Sequence, residues 1–151
     1  MSIWFKPFTL DEIQQYSRGT INEQLDVQFV EIGPDYIRAT MPVDHRTVQQ
    51  IGLLHGGASV VLAESLGSVA AQHCVDLDRF YCVGVEINAN HVRSVRSGRV
   101  TGTARPIHRG GRLQVWDIRI EDDQGRLACI SRLTVSVLEG AAMASTGVAK
   151  R

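Results

Sequence analysis

The sequence predicts an α+β fold in which an antiparallel sheet of about six strands wraps around one long helix. Three observations predict it. The run from Gly56 to Cys74 contains no proline and carries apolar side chains on nearly every face (Val60, Val61, Leu62, Leu66, Val69, Ala70, Ala71), the pattern of a helix buried in a core. Two stretches before this run and four after it have strand-like character, most of them alternating apolar and polar residues. Strands and helices do not alternate along the chain, so there is no room for doubly wound βαβ units.

Thr9-Leu10-Asp11-Glu12 has the form of a capping box and predicts a short helix to about Ser17. Leu25 to Phe29 alternates and predicts a first strand. Gly33-Pro34-Asp35 is turn chemistry, and Ile37, Ala39, Met41 and Val43 alternate with Tyr36, Arg38 and Thr40 in a second strand, which makes a hairpin. The long helix follows. After it, Val83, Val85, Ile87 and Ala89 alternate with Gly84, Glu86, Asn88 and Asn90, a strand with one apolar face. Ser97-Gly98 marks a turn. Val100 to Ile107 is strand-like, and Pro106 near its end predicts an exposed edge or a bulge. Arg109-Gly110-Gly111-Arg112 is a tight turn, and Leu113 to Ile120 and Leu127 to Leu138 flank the turn Asp122-Asp123-Gln124-Gly125. Hairpin connections after the helix impose antiparallel pairing. A single domain is expected over 1–138, with a mobile tail of small and polar residues over 139–151.

At 151 residues the chain can build one sizeable core. Lys+Arg and Asp+Glu number 16 each, so no overall charge favours nucleic acid or a membrane as partner. No run of about 20 apolar residues is present, so no membrane span is expected. Met1 to Pro7 lacks the apolar core of a signal peptide. Cys74, Cys82 and Cys129 are odd in number and scattered among apolar residues, which fits free thiols in a reducing cytoplasm better than disulfides or a metal site.

The chemistry concentrates between Gln49 and Ser68, where a loop with Gln49 and His55 runs through Gly56-Gly57 into the apolar helix. That helix holds one carboxylate, Glu64. Val60, Gly67, Ser68 and Ala71 share its face, and the helix's only basic side chain, His73, is on the opposite one. An unpaired buried carboxylate costs several kcal/mol or takes up a proton. Glu64 is therefore either a structural residue paired from elsewhere or a catalytic carboxylate in an apolar pocket, with Ser68 one turn away. From Ile87 to Trp116 there is no Asp or Glu but six Arg (93, 96, 99, 105, 109, 112). This is either a solvated strand surface or a binding surface for phosphates, with which Arg pairs well.

The segment Gly52-Leu53-Leu54-His55-Gly56-Gly57-Ala58-Ser59-Val60-Val61-Leu62-Ala63-Glu64-Ser65, with Gly84-Val85-Glu86-Ile87-Asn88-Ala89-Asn90-His91-Val92-Arg93 after it, resembles hotdog-fold acyl-CoA thioesterases. The resemblance runs nearly the whole chain to about Leu138. It is strongest to the branch that hydrolyses 1,4-dihydroxy-2-naphthoyl-CoA or 4-hydroxybenzoyl-CoA and that includes the proofreading thioesterases of enterobactin synthesis. It implies hydrolysis of an aromatic acyl-CoA, with Glu64 as nucleophile or general base. The Gly56 amide, His55 and Gln49 would polarise the thioester carbonyl and Ser68 would hold the water. It implies no cofactor, since coenzyme A is part of the substrate. Asn90, His91, Arg93, His108, Arg109, Gly110 and Arg112 become candidate contacts to the nucleotide. Gln50-Ile51 departs from the family, whose members carry Pro-Phe there. The chemistry agrees: a thioester has a good leaving group, so hydrolysis needs a base or nucleophile and a donor for the developing oxyanion. A Gly amide at a helix start is such a donor.

Gly56 and Glu64 are eight residues apart, about 12 Å along a helix axis. One thioester carbon does not sit about 3 Å from both. A second helix, antiparallel across a twofold axis, would bring Glu64 of one subunit beside Gly56 of the other, with Ala63, Gly67 and Ala70 permitting close approach. A dimer is therefore expected, and the resemblance implies the same arrangement, as a dimer or a dimer of dimers (a homotetramer). The other readings are a proofreading thioesterase acting on an acyl or aryl carrier protein, a non-catalytic acyl-CoA binder, and a hydratase, which would need an Asp or Glu paired with His55.

Overall fold

The computed structural model describes residues 1–140; residues 141–151, and with them most of the expected tail, lie outside the described residues. The first helix, α1 (Leu10–Tyr16), starts at the capping box: Glu12 N–H donates to Thr9 Oγ1 at 3.2 Å and Thr9 N–H donates to Glu12 Oε2 at 2.7 Å. A one-turn helix, α2 (Ile21–Gln24), stands just before the point where alternation predicts a strand. The same chemistry builds it, with Asn22 N–H donating to Thr20 Oγ1 at 3.2 Å and Gly19 N–H to Glu23 at 2.6 Å. Asp26 then takes a φ of 53°, so β1 begins only at Gln28 (Gln28–Ile32). Leu25 to Val27 belongs to a helix end and a left-handed turn.

The remaining elements are β2 (Ile37–Pro42), α3 (Gly56–His73), β3 (Phe80–His91), β4 (Arg99–Arg109), β5 (Leu113–Glu121) and β6 (Leu127–Glu139). The strands form one antiparallel sheet in the order β1-β2-β4-β5-β6-β3. α3 packs across β2 to β6. Its Leu62, Ala63, Leu66 and Ala70 are fully buried, whereas Val60, Val61, Glu64, Ser65 and Ser68 are only half-buried. An apolar run on all faces thus marks a helix with one face on its own sheet and another side left open. Ala63, Gly67 and Ala70 lie on the sheet side and not on the side a second helix would meet. A Cβ on Gly67 would stand 2.5 Å from Leu133 Cδ2, so the small side chains let α3 settle onto its own strands.

Two features of β3 differ from the alternation. It is not joined to β4 by a hairpin: it lies at the sheet edge, paired only with β6, and residues 92–98 cross over to β4. Leu54 N–H donates to Val95 O at 2.7 Å and Val43 N–H to Gly98 O at 2.9 Å, so the crossover runs along the loop between β2 and α3. The register with β6 also slips between Gly84 and Glu86. A bulge changes which residues face inward. Gly84 faces α3 before the bulge, Ile87 and Ala89 pack on the core after it, and Val83 and Val85 are left 40% and 60% exposed. Pro106 sits at a bulge between Pro106 and His108. That bulge lies beyond the last β2–β4 pair, Ile37 with Ala104, so no neighbour lacks the missing N–H.

Candidate active site

The loop from Asp44 to His55 folds back on itself. Gln49 N–H donates to Leu53 O at 2.8 Å, and Gly52, at φ 78°, donates its N–H to Gln49 O at 2.9 Å. Val48 and Leu54 pair and pack on the core, so alternation sends Gln49 and His55 to the other side. The Gln49 side chain is oriented by Ile51, whose N–H donates to its Oε1 at 2.6 Å. The amide NH₂ of Gln49 faces away from that bond and has no acceptor among the described residues.

His55 is the N-cap of α3, and Gly57 N–H donates to its Nδ1 at 2.8 Å. An Nδ1 that accepts carries no proton, so Nε2 bears the ring's N–H and is a second donor. The helix start has four amides without a partner inside the helix. His55 donates its own to Thr47 O at 2.8 Å, Gly57 donates to His55 Nδ1 at 2.8 Å, and Ala58 donates to His55 O at 3.0 Å. Among the described residues only the Gly56 N–H has no partner. His91, at the end of β3, lies over Gly56, where a Cβ would stand 2.7 Å from its Nε2.

Glu64 lies two turns further along α3, where the helix crosses β3. A Cβ at Gly84 would stand 2.5 Å from Glu64 Oε1, so the glycine makes room for the carboxylate. Glu64 has no ion pair and no hydrogen-bond partner among the described residues, and burial raises its pKa above the ordinary 4.5. The structural alternative, a Glu paired from elsewhere, has no partner within the described residues. The isolated glycine in the β3 pattern is the sequence signal for this close approach. Ser68, one turn on, likewise has no partner among the described residues. It lines a groove of about 720 Å³ between α3 and the N-terminal residues, walled by Phe5, Phe8, Val69, Val75 and Leu77. His73 stacks on Phe8 at the far end of α3.

The Arg-rich segment divides in two. Arg99 bonds Asp26 and Thr40, and Arg105 pairs with Asp35 at 2.7 Å. Arg93, Arg96 and Arg112 are exposed, with no side-chain partner among the described residues, and Arg109 donates to Ile3 O at 3.2 Å. One chain does not bring the nucleotide candidates together. Asn90, His91 and Arg93 lie at the end of β3, where His91 is level with Cys129 and, one strand on, Ile120. His108, Arg109, Gly110 and Arg112 lie at the β4–β5 turn, level with Val83 near the other end of β3.

A six-stranded antiparallel sheet wrapped on one long helix is the arrangement of a hotdog-fold thioesterase. A model of the thioesterase superfamily matches residues 51–129. The chain is 54% identical over 136 residues to 1,4-dihydroxy-2-naphthoyl-CoA hydrolase of Escherichia coli, covering 90% of this chain and 99% of that one. It is 46% identical over 136 residues to the proofreading thioesterase EntH of Cronobacter turicensis, covering 90% and 98%. A crystal structure of a mutant thioesterase from Pseudomonas aeruginosa superposes with a TM-score of 0.91 at 49% identity, covering 92% of this chain and 100% of that one. The chain belongs to the thioesterase superfamily and is a thioester hydrolase. Among the described residues no helix is long and apolar enough to cross a membrane.

Proposed function

We propose that this chain hydrolyses an aromatic acyl-CoA, such as 1,4-dihydroxy-2-naphthoyl-CoA or a benzoyl-CoA, at two sites shared between the subunits of a cytoplasmic homodimer. The Gly56 N–H, the Nε2–H of His55 and the Gln49 amide hold the thioester oxygen and stabilise its developing charge. Either Glu64 of the other subunit takes a proton from the water that Ser68 holds as that water attacks the carbonyl carbon, or Glu64 itself attacks and the water then opens the acyl-Glu64 anhydride. In both, the C–S bond breaks, the coenzyme A thiolate leaves and the free acid is released. The burial that raises the pKa of Glu64 makes it a stronger base. One observation carries this reading. Of the four amides at the start of α3, only that of Gly56 is without a partner among the described residues, and the acceptor atoms Gln49 Oε1 and His55 Nδ1, on the loop that leads into it, are already committed to Ile51 and Gly57.

The dimer has support from β3. It is a 12-residue edge strand with Val83 and Val85 exposed, the kind of open edge that pairs with another chain. Antiparallel pairing of two such strands sets the end of one beside the start of the other. That arrangement brings Asn90, His91 and Arg93 of one subunit toward His108, Arg109, Gly110 and Arg112 of its partner, with coenzyme A between them. It also covers the open side of α3.

A panel of aromatic and fatty acyl-CoAs and an aryl carrier protein thioester tests the substrate. The expected result is a kcat/KM at least about tenfold higher on the aromatic acyl-CoAs. Preference for a fatty acyl-CoA or for the carrier protein would overturn the substrate assignment, and no hydrolysis of any would leave an acyl-CoA binder.

A further inference from the structure

The loop that carries Gln49 and His55 is closed at one residue that touches no substrate. Thr47 is 1% exposed. Its hydroxyl donates to Pro42 O at 2.7 Å and accepts Asp44 N–H at 3.0 Å, and its own N–H donates to Asp44 O at 2.9 Å. These bonds fasten the entry of the loop to the end of β2. Its carbonyl accepts His55 N–H at 2.8 Å, which fastens the exit one residue before Gly56. The two ends of the loop are thus tied through one buried side chain and its own peptide groups.

We infer that Thr47 is a positioning residue for thioester hydrolysis, which sets Gln49 and His55 against the reacting carbonyl by clasping both ends of their loop. This rests on the reading of Gln49 and His55 as the donors to the thioester oxygen. The clasp has a chemical requirement that shape alone does not meet. Valine has the outline of threonine but no hydroxyl, so Thr47→Val strands the buried Pro42 carbonyl and the Asp44 N–H. Relief comes only if the entry of the loop shifts until water or another group reaches them. The loop itself persists through the bonds of Gln49 to Leu53 and Leu54 to Val95. The result is a folded loop displaced at its root. Misplacement of a polarising group by about 1 Å costs up to about 10²-fold in rate.

The test compares Thr47→Val, Thr47→Ala and Thr47→Ser, each alone and in a Gln49→Ala/His55→Ala background, on benzoyl-CoA. Hydrogen exchange of the peptide over 44–55 is followed alongside. For the valine and alanine variants, kcat falls at least about tenfold with KM within about threefold of wild type, and the serine variant keeps most of its rate. Exchange quickens over 44–55 and not over β5 or β6. In the doubly substituted background the valine change costs less than about threefold more, because what Thr47 positions is gone. Wild-type rates in Thr47→Val, an equal loss in both backgrounds, or loss of fold in both hydroxyl-free variants would overturn the inference. Full activity of Gln49→Ala/His55→Ala by itself would instead overturn the reading on which it rests.

Discussion

Alanine at Gly84 separates the position of the Glu64 carboxylate from the stability of the fold. The new Cβ would stand 2.5 Å from Glu64 Oε1 and 3.7 Å from its Cδ. Ordinary contact between such atoms begins near 3.5 Å, so the carboxylate oxygen moves by about 1 Å. It is the far end of a flexible side chain with no hydrogen bond to lose among the described residues, so the move costs little folding energy. Gly84 is not among the glycines with positive φ, and alanine in a strand recovers roughly 0.5–1 kcal/mol of backbone entropy relative to glycine. A reacting group displaced by about 1 Å loses up to about 10²-fold in rate. The expected outcome is a kcat lower by about ten- to a hundredfold, measured by release of the coenzyme A thiol at saturating acyl-CoA. The melting temperature followed by circular dichroism stays equal to wild type or rises. A folded Gly84→Ala enzyme with kcat within about twofold of wild type would refute the placement of Glu64 against Gly84 as its working position.

Glu64→Gln lowers kcat by about 10²-fold or more with the fold intact by circular dichroism. The raised pKa of Glu64 fixes two signs. The acid limb of kcat/KM falls at a pH above 4.5, because the ionised form reacts. A carboxyl with a raised folded pKa stabilises below its unfolded pKa and loses that contribution as pH rises through the folded one. Glu64→Gln therefore melts no lower than wild type at pH ~7, and any advantage shrinks toward pH ~4. Gly67→Ala, with the same clash distance as Gly84→Ala but against buried Leu133 and Ile118, costs about 1–3 kcal/mol in denaturant unfolding. Arg93→Ala raises KM for acyl-CoA and spares kcat, and discriminates less against substrates without the 3′-phosphate; an unchanged KM at low salt would count against its role.

The parts of the fold legible in the sequence are those set by local chemistry. The capping box at Thr9 and Glu12, the proline-free apolar helix and the turn at Asp122 to Gly125 all depend on neighbours within a few residues. α2 carries the same Thr-x-x-Glu signal at Thr20 and Glu23, but the alternation just after it is easily taken for a strand beginning at Leu25. The edge position of β3 leaves no mark in its own residues, because strand order is decided by the crossover at 92–98. Its bulge has one local sign, Gly84. Helical periodicity groups Ala63, Gly67 and Ala70 on one side but does not say whether a strand or a second helix lies there. Glu64 stands out because a carboxylate in an apolar helix is costly. The commitment of Gln49 Oε1 and His55 Nδ1 to backbone amides follows from the turn at Gly52 and the helix start, and Thr47 has no distinguishing neighbour in sequence at all.

The shared site is tested most directly by mixing two inactive variants, His55→Ala and Glu64→Ala, under conditions where mass spectrometry shows that subunits exchange. Each mixed dimer would hold one site with both defects and one with neither, so a random mixture should recover about a quarter of wild-type activity. No recovery, with exchange complete, would place His55 and Glu64 of one chain in the same site and contradict the account.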